Sequence, residues 1–96
     1  MKLFVDDIRI APDGWVQAWT ADEAILLLSK NAVTDLSLDH DLGESSEKTG
    51  YDVMLWIEKE VITNPRYVVP NIKFHTANPV GRANMIRAYK SILARL

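Results

Sequence analysis

Short apolar runs punctuate the chain, and each gives way to polar or charged residues. Lys2 to Val5 (KLFV) reads as a buried strand closed by Asp6 and Asp7. Ala11 to Gly14 (APDG) is a turn signal, and Trp15 to Trp19 (WVQAW) has strand composition. Thr20 to Glu23 (TADE) spells a capping box, with Thr20 as N-cap and Glu23 at N3. Ala21, Ala24, Ile25 and Leu28 follow at helical spacing, and Asn31 is a C-terminal stop. Leu36, Ser37 and Leu38 form the next strand, followed by a polar connection at residues 43–50 that is expected to be mobile. Thr49 caps a second helix whose predicted inward face is Tyr51, Met54, Leu55 and Ile62, and Asn64 to Pro70 breaks it. Asn71 to Ala77 is a fourth strand. Asn78 and Pro79 open the last helix as N-cap and N1, with Met85, Tyr89, Ile92 and Leu96 as its inward stripe.

The order β-β-α-β-α-β-α, with continuous apolar strands, predicts an α/β fold on a mostly parallel sheet of about four strands with three helices. The first connection departs from this pattern. About nine residues separate the first two strands, fewer than a helical crossover needs. Either a bare loop crosses over, which is the preferred reading, or the two strands form a hairpin.

With 48% hydrophobic and 25% charged residues, the 96-residue chain suits one soluble domain spanning 1–96. No apolar run approaches the roughly 20 residues of a membrane span, so no membrane partner is expected. The apolar stretch before Asp6 is too short for a signal peptide. The absence of cysteine excludes disulfides and thiolate zinc sites, and a cytoplasmic location is the default expectation. Charge changes the picture more. Residues 1–65 hold all 13 acids against five Lys or Arg, whereas residues 66–96 hold six Lys or Arg and no acid. Such a division suggests a cation site facing an anion site, or surfaces that simply attract each other.

In an open parallel sheet, ligands bind outside the carboxyl ends of the strands. Asp6 and Asp7 end the first strand, Asp39, His40 and Asp41 the third, and His75 and Thr76 the fourth, with Asn78 just beyond. A parallel sheet brings all of them to one edge. Clustered carboxylates repel one another unless a cation or proton intervenes, and ligation by oxygen alone favours Mg²⁺, or else Mn²⁺ or Ca²⁺. Arg82 lies in the first turn of the last helix, whose free N–H groups attract anions. A phosphate between the two would explain a cation there; a solvent-facing Arg82 would need no explanation. Arg9 is open to either an acid or a phosphate. Trp15 and Trp19 share a strand face and read better as packing than as a base-stacking platform.

These residues resemble receiver domains. LFVDDIR is similar to the receiver opening, whose acidic pair binds Mg²⁺, and LSLDHDLG to the strand carrying the phospho-accepting aspartate, here Asp39. TGYDVMLWI resembles the opening of the third receiver helix, and FHTANP the strand with the hydroxyl residue, here Thr76. A closer resemblance is to the cyclic-phosphate processing receiver domain family. Its LFxDDIR, SLDHDLG, TGYDV and HSxNPxGRxNM patterns are followed almost throughout, with Thr76 where serine is common. The resemblance implies a truncated receiver-like, flavodoxin-like three-layer sandwich. The fifth strand of signalling receivers, with its phosphoryl-contacting lysine, has no match here, and the first helix is reduced to a loop. Conversely, His40 stands where receivers commonly have an apolar residue, and His75 adjoins the hydroxyl position.

The resemblance therefore favours metal-dependent phosphoester chemistry over signal relay. The expected substrate is a cyclic phosphate, on a phosphate-bearing small molecule or an RNA end. Asp6, Asp7 and Asp39 would hold Mg²⁺ or Mn²⁺, with the Asp41 carbonyl a further ligand. His75 and His40 would be general base and acid in either order, and Thr76, Asn78, Arg82 and Arg9 would bind phosphate. The alternatives are a degenerate receiver that binds metal and phosphate or is phosphorylated on Asp39, and a module that binds cyclic nucleotides without turnover.

Overall fold

The computed structural model describes residues 1–43 and 47–96. The centre of the polar connection expected to be mobile, residues 44–46, lies outside the described residues. The elements are β1 (Lys2–Val5), β2 (Val16–Ala18), α1 (Ala21–Lys30), β3 (Asp35–Leu38), α2 (Gly50–Thr63), β4 (Asn71–Phe74) and α3 (Pro79–Ala94). One four-stranded sheet has the order β2-β1-β3-β4, and every pairing is parallel. The first connection is thus a bare crossover and not a hairpin. Gln17 makes it possible without a helix. Its Nε2 donates to the carbonyls of Asp6 (2.9 Å) and Arg9 (3.2 Å), and its Oε1 accepts from the Ala11 amide (2.6 Å). Two strands are shorter than their composition suggested: Trp15 and Trp19 flank β2, and His75 to Ala77 follow β4.

The helix starts follow local chemistry. Thr20 accepts from the Glu23 amide at 3.1 Å, and Thr49 forms a reciprocal capping box with Asp52. Asn78 accepts from the Gly81 amide at 2.9 Å, with Pro79 in the first turn. Each connection from β2 onward moves the chain the same way along the sheet, so the helices lie together on one face, with α2 packed against both α1 and α3. Leu3, Val5, Ala18, Leu36, Leu38 and Ile72 point from the sheet into that core. Across the opposite face run Gln17, Phe4, Ser37 and Lys73 in register. There the third layer is reduced to the β1–β2 crossover, which sets Trp15 edge-on against Phe4 with centroids 6.5 Å apart. The arrangement is α/β, of the flavodoxin-like receiver type.

The helix faces differ in part from the pattern. Val53, Met54 and Ile57 are buried in α2, whereas Leu55 and Ile62, expected inward, are 42% and 58% exposed. In α3, Met85 and Ile92 are buried and Leu96 is exposed beyond the helix. Among the described residues, no helix is long and apolar enough to cross a membrane.

Candidate functional site

Residue parity brings the polar groups together. In β1, β3 and β4, alternate residues face the helices, so the positions just after Val5, Leu38 and Phe74 turn toward the other face. Those positions are Asp6, Asp39 and His75, and one ligand atom from each lies within 4.8 Å of the other two.

Among the described residues, Asp6 is the sole charged one whose side chain is buried. One carboxylate oxygen accepts the amides of Ile8 (2.8 Å) and Arg9 (2.9 Å), and the other faces His75 Nε2 at 3.0 Å. Burial pushes the Asp6 carboxyl up, but the Arg9 and Ile8 amides and His75 outweigh it and hold the group below the usual 3.8. His75 is fixed from several sides. Its Nδ1 meets Ser37 Oγ at 2.8 Å, its ring stacks on Phe4 with centroids 4.5 Å apart, and its carbonyl accepts from Arg9 Nη1 at 2.9 Å. Both ring nitrogens therefore have protein partners.

Asp39 and Asp7 are half-buried, and neither carboxylate has a protein partner among the described residues. They open, with the exposed Asp41, onto a pocket of about 490 Å³ whose wall is completed by Ile8, Arg9, Gly43 and Ala77. A divalent cation fits this set: two unpartnered carboxylates and a third held ionised, all oxygen donors, with an imidazole alongside.

His40 lies on the α3 side of Asp39. Its Nδ1 is 3.1 Å from Asp41 Oδ1, and its Nε2 has no partner among the described residues. Asn78 Nδ2 also reaches Asp41 Oδ1, at 3.4 Å. His40 and then Asn78 hold the Asp41 carboxyl below its ordinary value. The His40 ring rests against Gly81, where a Cβ would collide with it. Gly50, at the start of α2, approaches the Asp39 carbonyl so closely that a Cβ there would overlap the oxygen.

Of the residues expected at the site, Asp6, Asp39 and His75 converge; Asp7, Asp41 and Arg9 line the adjoining pocket; and His40 and Asn78 are joined through Asp41. Thr76 is half-buried, and its Oγ1 accepts the Asn78 amide at 3.2 Å. Arg82 is exposed in the first turn of α3 and does not line the pocket. The pattern had not singled out Ser37, Gln17, Gly50 or Gly81. The parity of Ser37 with Asp39 was a usable signal, because it places both on the face to which His75 belongs.

The sequence model of one protein family, described as the cyclic-phosphate processing Receiver domain, matches residues 1–91. No curated protein and no solved structure matches the chain significantly.

Proposed function

We propose that this chain, which belongs to the cyclic-phosphate processing receiver domain family, is a metal-dependent phosphoesterase that opens cyclic phosphates, a 2′,3′-cyclic phosphate on a nucleotide or RNA end being the leading case. The observation that carries the reading is the convergence of Asp6, Asp39 and His75 beside a pocket that also receives Asp7 and Asp41. Asp6, Asp7 and Asp39 would hold Mg²⁺ or Mn²⁺. Such an ion supplies positive charge that polarises a phosphate and stabilises charge building on its oxygens.

Ring opening adds a water oxygen to phosphorus and breaks one ester P–O bond. The water loses a proton and the departing alkoxide gains one. His40 suits the mobile proton, since Asp41 orients its Nδ1 and its Nε2 has no partner among the described residues. His75, engaged at both nitrogens, fixes Asp6 and can exchange a proton only through Ser37 or Asp6. The Thr76 hydroxyl, the Asn78 amide and the guanidinium groups of Arg9 and Arg82 are the donors for phosphate oxygens.

The test is a screen of 2′,3′-cyclic, 3′,5′-cyclic and linear phosphoesters with and without Mg²⁺, paired with thermal melts. The expected result is Mg²⁺-dependent opening of the 2′,3′-cyclic ester, and a metal-induced rise in melting temperature that Asp39→Ala abolishes. The absence of that rise at saturating Mg²⁺ or Mn²⁺ overturns the cation site. Stable phosphoryl labelling of Asp39, with no ester hydrolysed, would instead favour a degenerate receiver, for which a half-buried Asp39 at the end of β3, with no partner among the described residues, is suited.

A further inference from the structure

The lining of the pocket beside the acids is mixed: Asp7, Asp39, Asp41 and Arg9 are charged, Gly43 has no side chain, and Ile8 and Ala77 are apolar. Its volume, about 490 Å³, is large enough to take a small organic ligand in an open cleft. Ile8 is 80% exposed. Single exposed apolar residues are common and by themselves mean nothing. Ile8 differs because its position is imposed. Its amide is bound to Asp6 at 2.8 Å, and so is that of Arg9 at 2.9 Å. The Arg9 side chain ties the loop to the His75 carbonyl, and Gln17 ties it to β2. The same carboxylate that belongs to the acid cluster thus fixes the backbone that presents Ile8 to the pocket.

We infer that Ile8, together with Ala77 of the same pocket, forms the surface against which the nucleoside part of the substrate packs, so that the site takes a nucleoside phosphate in preference to a base-free one. This assignment rests on the phosphoesterase reading for its chemistry. It names the substrate class as one with an apolar, planar group attached to the phosphate-bearing sugar, whether in a free nucleotide or at the 3′ end of an RNA. Ile10 is 78% exposed on the same loop but does not line the pocket, which makes it an internal control.

The experiment measures binding and turnover side by side in the presence of Mn²⁺. Calorimetry compares adenosine 2′- and 3′-monophosphate with glycerol 2-phosphate, and turnover compares adenosine 2′,3′-cyclic phosphate with glycerol 1,2-cyclic phosphate. The parent should prefer the adenosine probe at least tenfold. Ile8→Ser should weaken the adenosine probe by about tenfold, the low end for apolar contacts in a pocket, and leave the glycerol probe within about twofold. Ile10→Ser should change neither. Since Ile8 is exposed and only its amide is bonded, the melting temperature should hold. Equal affinity of the parent for both probes, no binding of either, or equal losses in Ile8→Ser and Ile10→Ser overturns the inference. Base-dependent binding that is lost in Ile8→Ser while no ester is hydrolysed overturns the hydrolase reading and upholds this one. An oligoribonucleotide carrying the same terminal phosphate separates the two sources. Binding tighter than that of the mononucleotide, with the same Ile8 dependence, identifies an RNA end; equal or weaker binding identifies the free nucleotide.

Discussion

Asp6 is where stability and the proposed metal site meet in a single side chain. A fully buried carboxylate is costly unless donors surround it, and here two amides and an imidazole do so. Because its folded pKa lies below the ordinary 3.8, Asp6 adds stability that is fully present above that value and lost as pH falls through the lower folded value. Denaturant unfolding without metal, from pH 6 down to pH 3, should show this loss in the parent. Asp6→Asn should be less stable at pH 6 and show a shallower decline in acid; parallel declines would mean that other carboxylates dominate. That Asp6, Asp39 and His75 would meet was legible from strand-end position alone. That His75 would be held by Ser37 was legible only as far as parity, which puts Ser37 on the face of Asp39 and His75; the 38 positions between the partners hide the contact itself.

At the scale of elements, what could be read was local and what was misread was rotation about a helix axis. Caps at Thr20, Thr49 and Asn78 follow from neighbouring residues, and the structure has all three. The buried stripe of α2 begins at Gly50 and continues through Val53, Met54 and Ile57, and that of α3 runs from Gly81 to Met85 and Ile92. Each stripe starts with a glycine, which carries no hydrophobic signal, so Leu55 and Ile62 looked more inward than they are. The glycines bring α2 against the Asp39 carbonyl and α3 against the His40 ring. Gly50→Ala meets backbone that cannot rotate away, and should cost about 3 kcal/mol, the upper range for overpacking. Gly81→Ala meets a side chain that can move, in a helix that alanine otherwise favours. It should keep the fold, shift the His40 ring resonances, and reduce turnover by on the order of 100-fold, as expected when a general acid–base group is displaced. Unchanged His40 resonances and rate would remove His40 from the proton-transfer role.

Across the whole molecule, charge is sorted as the topology is. Asp6, Asp7, Asp39 and Asp41 gather at the carboxyl edge of the sheet, whereas Arg82, Arg87 and Lys90 are carried on α3, with Arg95 as its C-cap. The order of charges was plain in the sequence; how far each lies from the site depends on where α3 begins, which its Asn78 cap fixes. Only Arg82 is in the first turn, where the helix dipole draws an anion, although Asn78 already accepts the Gly81 and Arg82 amides there. Arg87 already donates to Asn84 on its own helix, and Lys90 and Arg95 lie further from the strand ends. Arg82→Ala should therefore weaken a phosphate-bearing ligand by roughly 10- to 150-fold, the loss of one charge-assisted hydrogen bond, while Mg²⁺ affinity stays nearly constant. Substitutions at the other three positions should matter only at low salt, where long-range attraction is least screened. Calorimetric titration of the four single variants at two salt concentrations separates a focused contact from a general field. Equal losses at all four would make the basic surface of α3 a diffuse attractor for polyanions, and the phosphate contact would then fall to Arg9, Thr76 and Asn78, which the fold already places around the acids.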